Sequence, residues 1–161
     1  CAGNPFGRQW FGIPRFDGSS EVEAAVGLNR AADDLDALLD ISLQAEELGP
    51  EALVLVGFSQ GSILSYAIAL SHPDKVQRVV ALSGYVSEPI LEENYLRNDF
   101  TKLKIFHSHG TVDQVIPVEW ARKTKPFLEK LGIHSTYKEY PVGHGVAPQN
   151  FYDFKNWLLE N

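Results

Sequence analysis

One serine of this chain lies between two glycines in a spacing that suits a nucleophile. The segment Gly57-Phe58-Ser59-Gln60-Gly61 has the form G-x-S-x-G and follows the apolar run 52–56. A sharp turn between a strand and a helix strains the backbone and lifts a serine hydroxyl out of the sheet. Ser59 is therefore the candidate nucleophile, and the N–H of Gln60, at the start of the expected helix, is the candidate donor to an oxyanion. The alternative interpretation is a structural turn that happens to contain a serine.

A serine hydroxyl is a weak nucleophile, so a base and an orienting acid must come from elsewhere in the chain. Asp113 follows the strand expected at 103–108, and His144 lies between Gly143 and Gly145 after the last expected strand. Since the carboxyl ends of parallel strands meet at one edge of a sheet, we expect Ser59, Asp113 and His144 to converge there. Two alternatives stay open: Asp113 could be a turn residue that binds local amides, and His144 a plain loop histidine.

Two further histidines alternate along one expected strand. His107 and His109 have a spacing that could serve a metal ion, and the flanking sequence offers a third ligand only in Asp113. Because Asp113 is better used as the acid beside His144, we expect no metal and no cofactor.

Helices and strands that alternate along the chain must position these groups. The capping box Ser20-Glu21-Val22-Glu23 starts a helix whose apolar residues recur in steps of three and four until Gly49-Pro50. The apolar run Ala52 to Val56 is typical of a strand buried on both faces. Later strands are expected at 76–83, 103–108 and 135–140, and helices at 62–71, 118–131 and 148–159. This pattern predicts an α/β fold with a predominantly parallel sheet flanked by helices.

Composition limits the function. The 161 residues carry a net charge of -7 and are 44% hydrophobic, which indicates one domain, residues 1–161, with an ordinary core. The acidic balance disfavours nucleic acid, and no run approaches the roughly 18 apolar residues of a membrane span. A single cysteine makes no internal disulfide, so we expect a cytoplasmic protein. Acidic residues concentrate between Glu21 and Glu51, where they form either a solvated helix face or an acidic docking surface.

Three segments together resemble the phospholipase/carboxylesterase family of α/β-hydrolases, relatives of the acyl-protein thioesterases. They are the Ser59 turn, His109-Gly110-Thr111-Val112-Asp113 with Val115-Ile116-Pro117 after it, and Tyr140-Pro141-Val142-Gly143-His144-Gly145-Val146. The resemblance implies hydrolysis of short- to medium-chain carboxylic esters through an acyl-enzyme. Ser59 would attack, His144 would carry the proton and Asp113 would orient it. It also implies that Trp10, Phe11 and Val115 lie near the substrate.

The chain departs from the family's pattern at its beginning. Members start with several strands and a His-Gly-x-Gly loop that supplies a second oxyanion donor, and the sequence contains no such motif. The resemblance therefore implies an N-terminally truncated hydrolase fold, about its C-terminal two-thirds. The strand at Leu53 to Val56 would then be an edge that pairs with a second copy or with a complementing N-terminal piece. A catalytically impaired hydrolase and a binding module remain the alternative functions.

Overall fold

A four-stranded parallel sheet forms the centre of the fold in the computed structural model, which describes residues 21–46 and 49–161. The strands lie side by side in chain order, and each pairs in parallel with the next. All four therefore point their carboxyl ends toward one edge of the sheet. Their bounds are β1 Val54–Phe58, β2 Arg78–Leu82, β3 Lys104–Gly110 and β4 His134–Tyr140.

In the described residues, four α-helices alternate with these strands and give the α/β architecture that the sequence predicts. They are α1 Glu21–Glu46, α2 Gln60–Ser71, α3 Val118–Lys130 and α4 Pro148–Glu160. Within the described ranges, no helix is both long enough and apolar enough to cross a bilayer.

The alternating side chains of the strands bury the two faces of the sheet against different helices. Val79 and Ala81 of β2 pack in the larger core cluster with residues of α2, including Tyr66 and Leu70. Val80, on the opposite face of β2, belongs with Leu82 and Phe106 to a smaller cluster that Trp157 of α4 completes. A period of two along each strand therefore sorts the apolar residues into two layers.

The buried stripe of α1 differs from the expected one by one residue. The steps of three and four residues predict a stripe that includes Leu28, Leu38 and Leu39. Leu28 and Leu39 are buried, but Leu38 is 55% exposed, and Ala31 is buried in addition, at 5% exposure. The prediction for Leu38 is wrong because a helix that packs on one side buries a narrow stripe, and Leu38 lies about 100° around the axis from Leu39.

The acidic side of α1 is partly neutralised, because Asp36 and Asp40 each lie 2.9 Å from Lys75 Nζ.

Strand β1 is less buried than its apolar sequence suggests. Val56 is 56% exposed and Phe58 is 42% exposed, so the expectation of a strand buried on both faces is wrong. Among the described residues, β1 has β2 as its one neighbour in the sheet, and the α4 cluster covers β2 and β3. The strand also runs two residues past the expected end, directly up to Ser59.

The segment between β2 and β3 is an irregular crossing with two short 3-10 turns, Glu88–Ile90 and Tyr95–Arg97. The sequence predicts a surface excursion here, yet Ile90 and Phe100 are buried at 8% and 6%. The segment is therefore anchored in the core at two points.

Candidate active site

Ser59 occupies a strained turn between β1 and α2. Its backbone has φ 55° and ψ −117°, a conformation that side chains with a Cβ rarely adopt. The Ser59 N–H donates to the carbonyl of Leu82 at 2.8 Å, and its own carbonyl accepts from the N–H of Ser62 at 3.0 Å. The strain is thus held by hydrogen bonds on both sides, as expected of a serine raised between strand and helix.

Only one of the two flanking glycines is sterically required. A Cβ at Gly57 would collide with the backbone of Gly61 and Ser62, whereas a Cβ at Gly61 would meet no atom within 4 Å. The spacing of the motif suggests that both glycines make room where strand and helix cross, and this expectation is wrong for Gly61, which faces open space.

The structure places Ser59, His144 and Asp113 in one hydrogen-bonded chain. Ser59 Oγ lies 2.9 Å from His144 Nε2, and His144 Nδ1 lies 2.7 Å from Asp113 Oδ2. A carboxylate only accepts, so Nδ1 carries the hydrogen and Nε2 is left to accept from the serine hydroxyl. The three side chains come from the carboxyl ends of β1, β3 and β4, as their positions after strands predict. Their catalytic role stays a prediction.

The Asp113 carboxylate divides its two oxygens between different partners. Oδ1 accepts from the N–H groups of Val115 and Ile116 at 2.8 and 2.9 Å, and Oδ2 faces His144. Burial opposes ionisation here, but the hydrogen bond from His144 and those from the Ile116 and Val115 amides outweigh it and lower the pKa of Asp113. Asp113 therefore stabilises its own turn and also faces the histidine, and its role as the catalytic acid stays a prediction.

The loop after β4 carries His144 close to the loop after β3. Val112 N–H donates to the carbonyl of Val142 at 3.2 Å, and a Cβ at Gly110 would collide with the Val142 and Gly143 carbonyls. Gly110 thus permits the approach of the two loops. The two glycines that flank His144 in the sequence suggest that backbone freedom turns the imidazole inward. Gly143 and Gly145 have neither a positive φ nor a crowded Cβ position, so that explanation is wrong.

With this geometry in place, comparison with known proteins decides the family. The model of the Phospholipase/Carboxylesterase family matches residues 2–160. This chain belongs to the phospholipase/carboxylesterase family.

The relatives are named as esterases and thioesterases. The chain is 29% identical over 155 residues to the probable carboxylesterase SOBER1-like of Arabidopsis thaliana, covering 94% of this chain and 58% of that protein. It is 28% identical over 155 residues to acyl-protein thioesterase 1 of Saccharomyces cerevisiae, covering 94% and 68%. The crystal structure of esterase PE8 matches with a TM-score of 0.85 at 30% identity, over 99% of this chain and 73% of that one. The chain therefore spans little more than half the length of some of the curated phospholipase/carboxylesterase relatives.

The other residues that the sequence predicts for the site of this family member differ in where the structure places them. Gln60 is the first residue of α2, so its amide lies at the helix N-terminus. Val115 is half-buried, packs against the core cluster that contains Ile116, and donates its N–H to Asp113. Trp10 and Phe11 lie outside the described residues. The binding roles of all four stay predictions.

No pattern in the sequence indicated the groups that support His144. The Phe58 ring packs against the His144 imidazole with centroids 5.0 Å apart, and the serine motif leaves the type of residue at position 58 open. Asn150, near the start of α4, donates from Nδ2 to Ser108 Oγ at 2.9 Å in the buried interior. This bond ties the beginning of α4 to β3 and so fixes the far end of the loop that carries His144.

His107 belongs to the core. Its ring lies between Tyr66 and Tyr137, at centroid distances of 6.4 and 4.7 Å. Burial, with a smaller contribution from Lys125, lowers the pKa of His107 to about 3. In the part of the chain that the structure describes, no group of three or more His, Cys, Asp or Glu side chains is placed to hold a metal ion.

Proposed function

We propose that this chain is a serine carboxylesterase that hydrolyses short- to medium-chain carboxylic esters through an acyl-enzyme. The observation that carries the proposal is the continuous hydrogen-bonded chain from Ser59 through His144 to Asp113, with distances of 2.9 and 2.7 Å. The names of the relatives, carboxylesterases and acyl-protein thioesterases, support an ester or thioester as the substrate class.

The geometry supports a two-step mechanism. Ser59 Oγ attacks the ester carbonyl carbon and passes its proton to His144 Nε2, while the ionised Asp113 stabilises the imidazolium that forms. The N–H of Gln60, at the positive end of α2, donates to the oxyanion. His144 then protonates the departing alkoxide, and a water activated by the same nitrogen releases the acid from Ser59. We propose that Trp10, Phe11 and Val115 line the acyl site.

The second candidate is a hydrolase fold with impaired turnover. It is favoured by the absence of a His-Gly-x-Gly motif from the 161 residues, since that motif supplies the family's second oxyanion donor. Loss of one such donor typically lowers kcat by about 100- to 1000-fold. A binding module stays the third candidate, although Lys75 pairs with Asp36 and Asp40 and so reduces the free charge of the acidic helix.

Hydrolysis of 4-nitrophenyl butyrate tests the proposal. The wild-type chain should release nitrophenol above background, Ser59→Ala should fall to background, and Ser42→Ala, a serine on α1 that bonds the Leu38 carbonyl, should match the wild type. Equal hydrolysis by wild type and Ser59→Ala would refute the esterase. Covalent labelling of Ser59 by a fluorophosphonate without turnover would favour the impaired hydrolase.

We propose further that residues 1–161 act as one domain and that the outer edge of β1 pairs with another strand. That strand would come from a second copy or from a complementing N-terminal piece, because the exposed Val56 and Phe58 belong to this edge strand. We place the chain in the cytoplasm, since its single cysteine cannot form an internal disulfide. Cell fractionation checks the location.

A further inference from the structure

His109 lies buried beside Asp113, in addition to His144. It is the second-last residue of β3, is 1% exposed, and its Nε2 lies 2.8 Å from the carbonyl oxygen of Ile116. The same nitrogen lies 3.3 Å from Asp113 Oδ2. The mechanism above does not use this ring, and its distance from Asp113 makes it relevant to the carboxylate.

The partners of His109 determine which ring nitrogen carries hydrogen. A carbonyl oxygen only accepts, so Nε2 must be the donor to Ile116. Nδ1 is buried and has no hydrogen-bond partner among the described residues. The ring therefore presents one N–H, which points at Ile116 and passes within 3.3 Å of the carboxylate.

Ile116 links the two side chains through its backbone. Its N–H donates to Asp113 Oδ1 at 2.9 Å, while its carbonyl accepts from His109 Nε2 at 2.8 Å. The turn 113–116 is thus held to β3 by the His109 ring, and the Asp113 carboxylate is held by the turn. Any rotation of this turn would move Oδ2 away from His144 Nδ1.

Glu139, a charged residue beside His109, is already bound by other side chains. Glu139 of β4 lies in register with His109 and accepts from Arg122 Nε and Nη2 at 2.7 and 2.8 Å, and from Tyr137 Oη at 2.9 Å. The geometry therefore leaves the Asp113 turn as the polar group that His109 serves.

We infer that His109 is a positioning residue for the reaction: by holding Ile116, it fixes the Asp113 carboxylate in the orientation that His144 requires. This inference rests on the proposed function. It assigns His109 no contact with substrate, so its effect should appear in kcat and leave KM unchanged.

Two variants of matched length test the role of the N–H. Gln places an amide N–H about where Nε2 lies, whereas Met has a similar shape and no donor. With 4-nitrophenyl butyrate, His109→Met should lower kcat on the order of tenfold or more with KM within about twofold, because misplacement of a catalytic group costs rate rather than binding. His109→Gln should keep most of the rate. Loss of activity in both variants, or in neither, would overturn the inference.

A double-mutant cycle with Asp113→Asn separates positioning from a structural effect. If His109 acts through Asp113, His109→Met should cause no further loss of rate in the Asp113→Asn background. A loss that multiplies with that of Asp113→Asn would show an independent structural role and overturn the inference.

A readout without turnover distinguishes this inference from the proposed function. The proton between His144 Nδ1 and Asp113 should give a strongly downfield NMR resonance in the wild type and in His109→Gln. The resonance should be lost or shifted in His109→Met, and an unchanged resonance there would refute the positioning role. A wild type that neither hydrolyses the ester nor reacts with a fluorophosphonate would refute the esterase, while this comparison still tests His109.

Discussion

Asp113 combines two tasks in one side chain. Its Oδ1 is saturated by the backbone amides of Val115 and Ile116, which fixes the plane of the carboxylate, and its Oδ2 is left for His144. Because the side chain is fully buried, no water competes for these positions. The orientation of the acid is therefore set by the backbone before any substrate arrives.

Replacement of Asp113 by Asn should abolish most turnover. The amide can still accept from the turn, but it presents either an N–H₂ or a weaker acceptor to His144, so the imidazole loses the required tautomer. We expect kcat to fall by about 10⁴-fold, measured with 4-nitrophenyl butyrate. Asp99→Asn, which changes an exposed carboxylate bonded to Thr101 N–H, is the matched control and should keep the wild-type rate. A loss of less than tenfold in Asp113→Asn would contradict the proposed role.

His107 should make the fold acid-sensitive above the range where carboxylates titrate. Its pKa is lowered to about 3 in the fold, against about 6.5 in the unfolded chain, so the unfolded state binds the proton first. Stability from the neutral ring is complete above about pH 6.5 and is lost as the pH falls toward 3, by about 2 kcal/mol at pH 5. His107→Phe should reduce the difference in unfolding free energy between pH 8 and pH 5 by this amount in urea titrations. An unchanged difference would mean that His107 is solvated in the fold.

The site was predictable from sequence where a motif or a place after a strand carries the signal, and unpredictable where the partner is a backbone group or a residue outside any motif. Ser59 lies in a recognisable motif, and Asp113 and His144 follow strands whose parallel ends must meet. His109 resembled a metal ligand because it alternates with His107. Its actual partner is the backbone carbonyl of Ile116, seven residues later, and side-chain patterns do not encode such a contact. Asn150 gave no signal, since neither it nor its hydrogen-bond partner Ser108 belongs to a recognisable motif.

At the scale of elements, the alternation of strands and helices was predictable and the exposure of β1 was not. Apolar composition identifies a strand, but whether a neighbour covers it depends on the order of strands in the sheet. The core positions of β2 and β3 are covered on both faces, whereas β1 lies at the outer side of the described sheet. Apolar residues of similar type are therefore buried in β2 and partly exposed in β1.

Strand β1 should mediate association. A lysine at Val56, which is 56% exposed, would place a charge on the edge and disfavour pairing with another strand. In sedimentation velocity, we expect Val56→Lys to contain a larger fraction of monomer than the wild type. Val26→Lys, on α1 and 64% exposed, adds the same charge away from the edge and should leave the distribution unchanged. A wild type that is monomeric with no bound partner would contradict the pairing.

Across the whole molecule, the two faces of the sheet are covered unequally. The larger core cluster and the cluster around Ile63 and Ile116 draw on α1, α2 and α3, while the opposite face depends on α4 alone among the described helices. Trp157 is the largest side chain of that cover and is 7% exposed. Phe154 and Leu158 of the same helix pack beside it, so this cover depends on three side chains of α4.

Truncation of Trp157 should destabilise the whole fold. Trp157→Ala removes the ring that packs on Phe106, at a centroid distance of 6.0 Å, and should lower the free energy of unfolding by about 3–5 kcal/mol. Leu159→Ala, two residues along α4 and 77% exposed, should change it by less than about 0.5 kcal/mol. Urea unfolding followed by far-ultraviolet circular dichroism measures the free energy of unfolding of both variants. Equal losses in the two variants would show that Trp157 does not cover this face of the sheet.

The hydrogen-bonded chain from Ser59 to Asp113 spans the described sheet from its first strand to its last, since β1 carries the serine and the loop after β4 carries His144. Outer strands of a sheet open more readily than central ones. On heating, fraying at either side would separate Ser59 from His144 while β2 and β3 remain paired. Enzymatic inactivation should therefore precede the loss of secondary structure, and brief cooling should restore it, so the temperature of half-maximal activity marks a reversible local opening rather than denaturation.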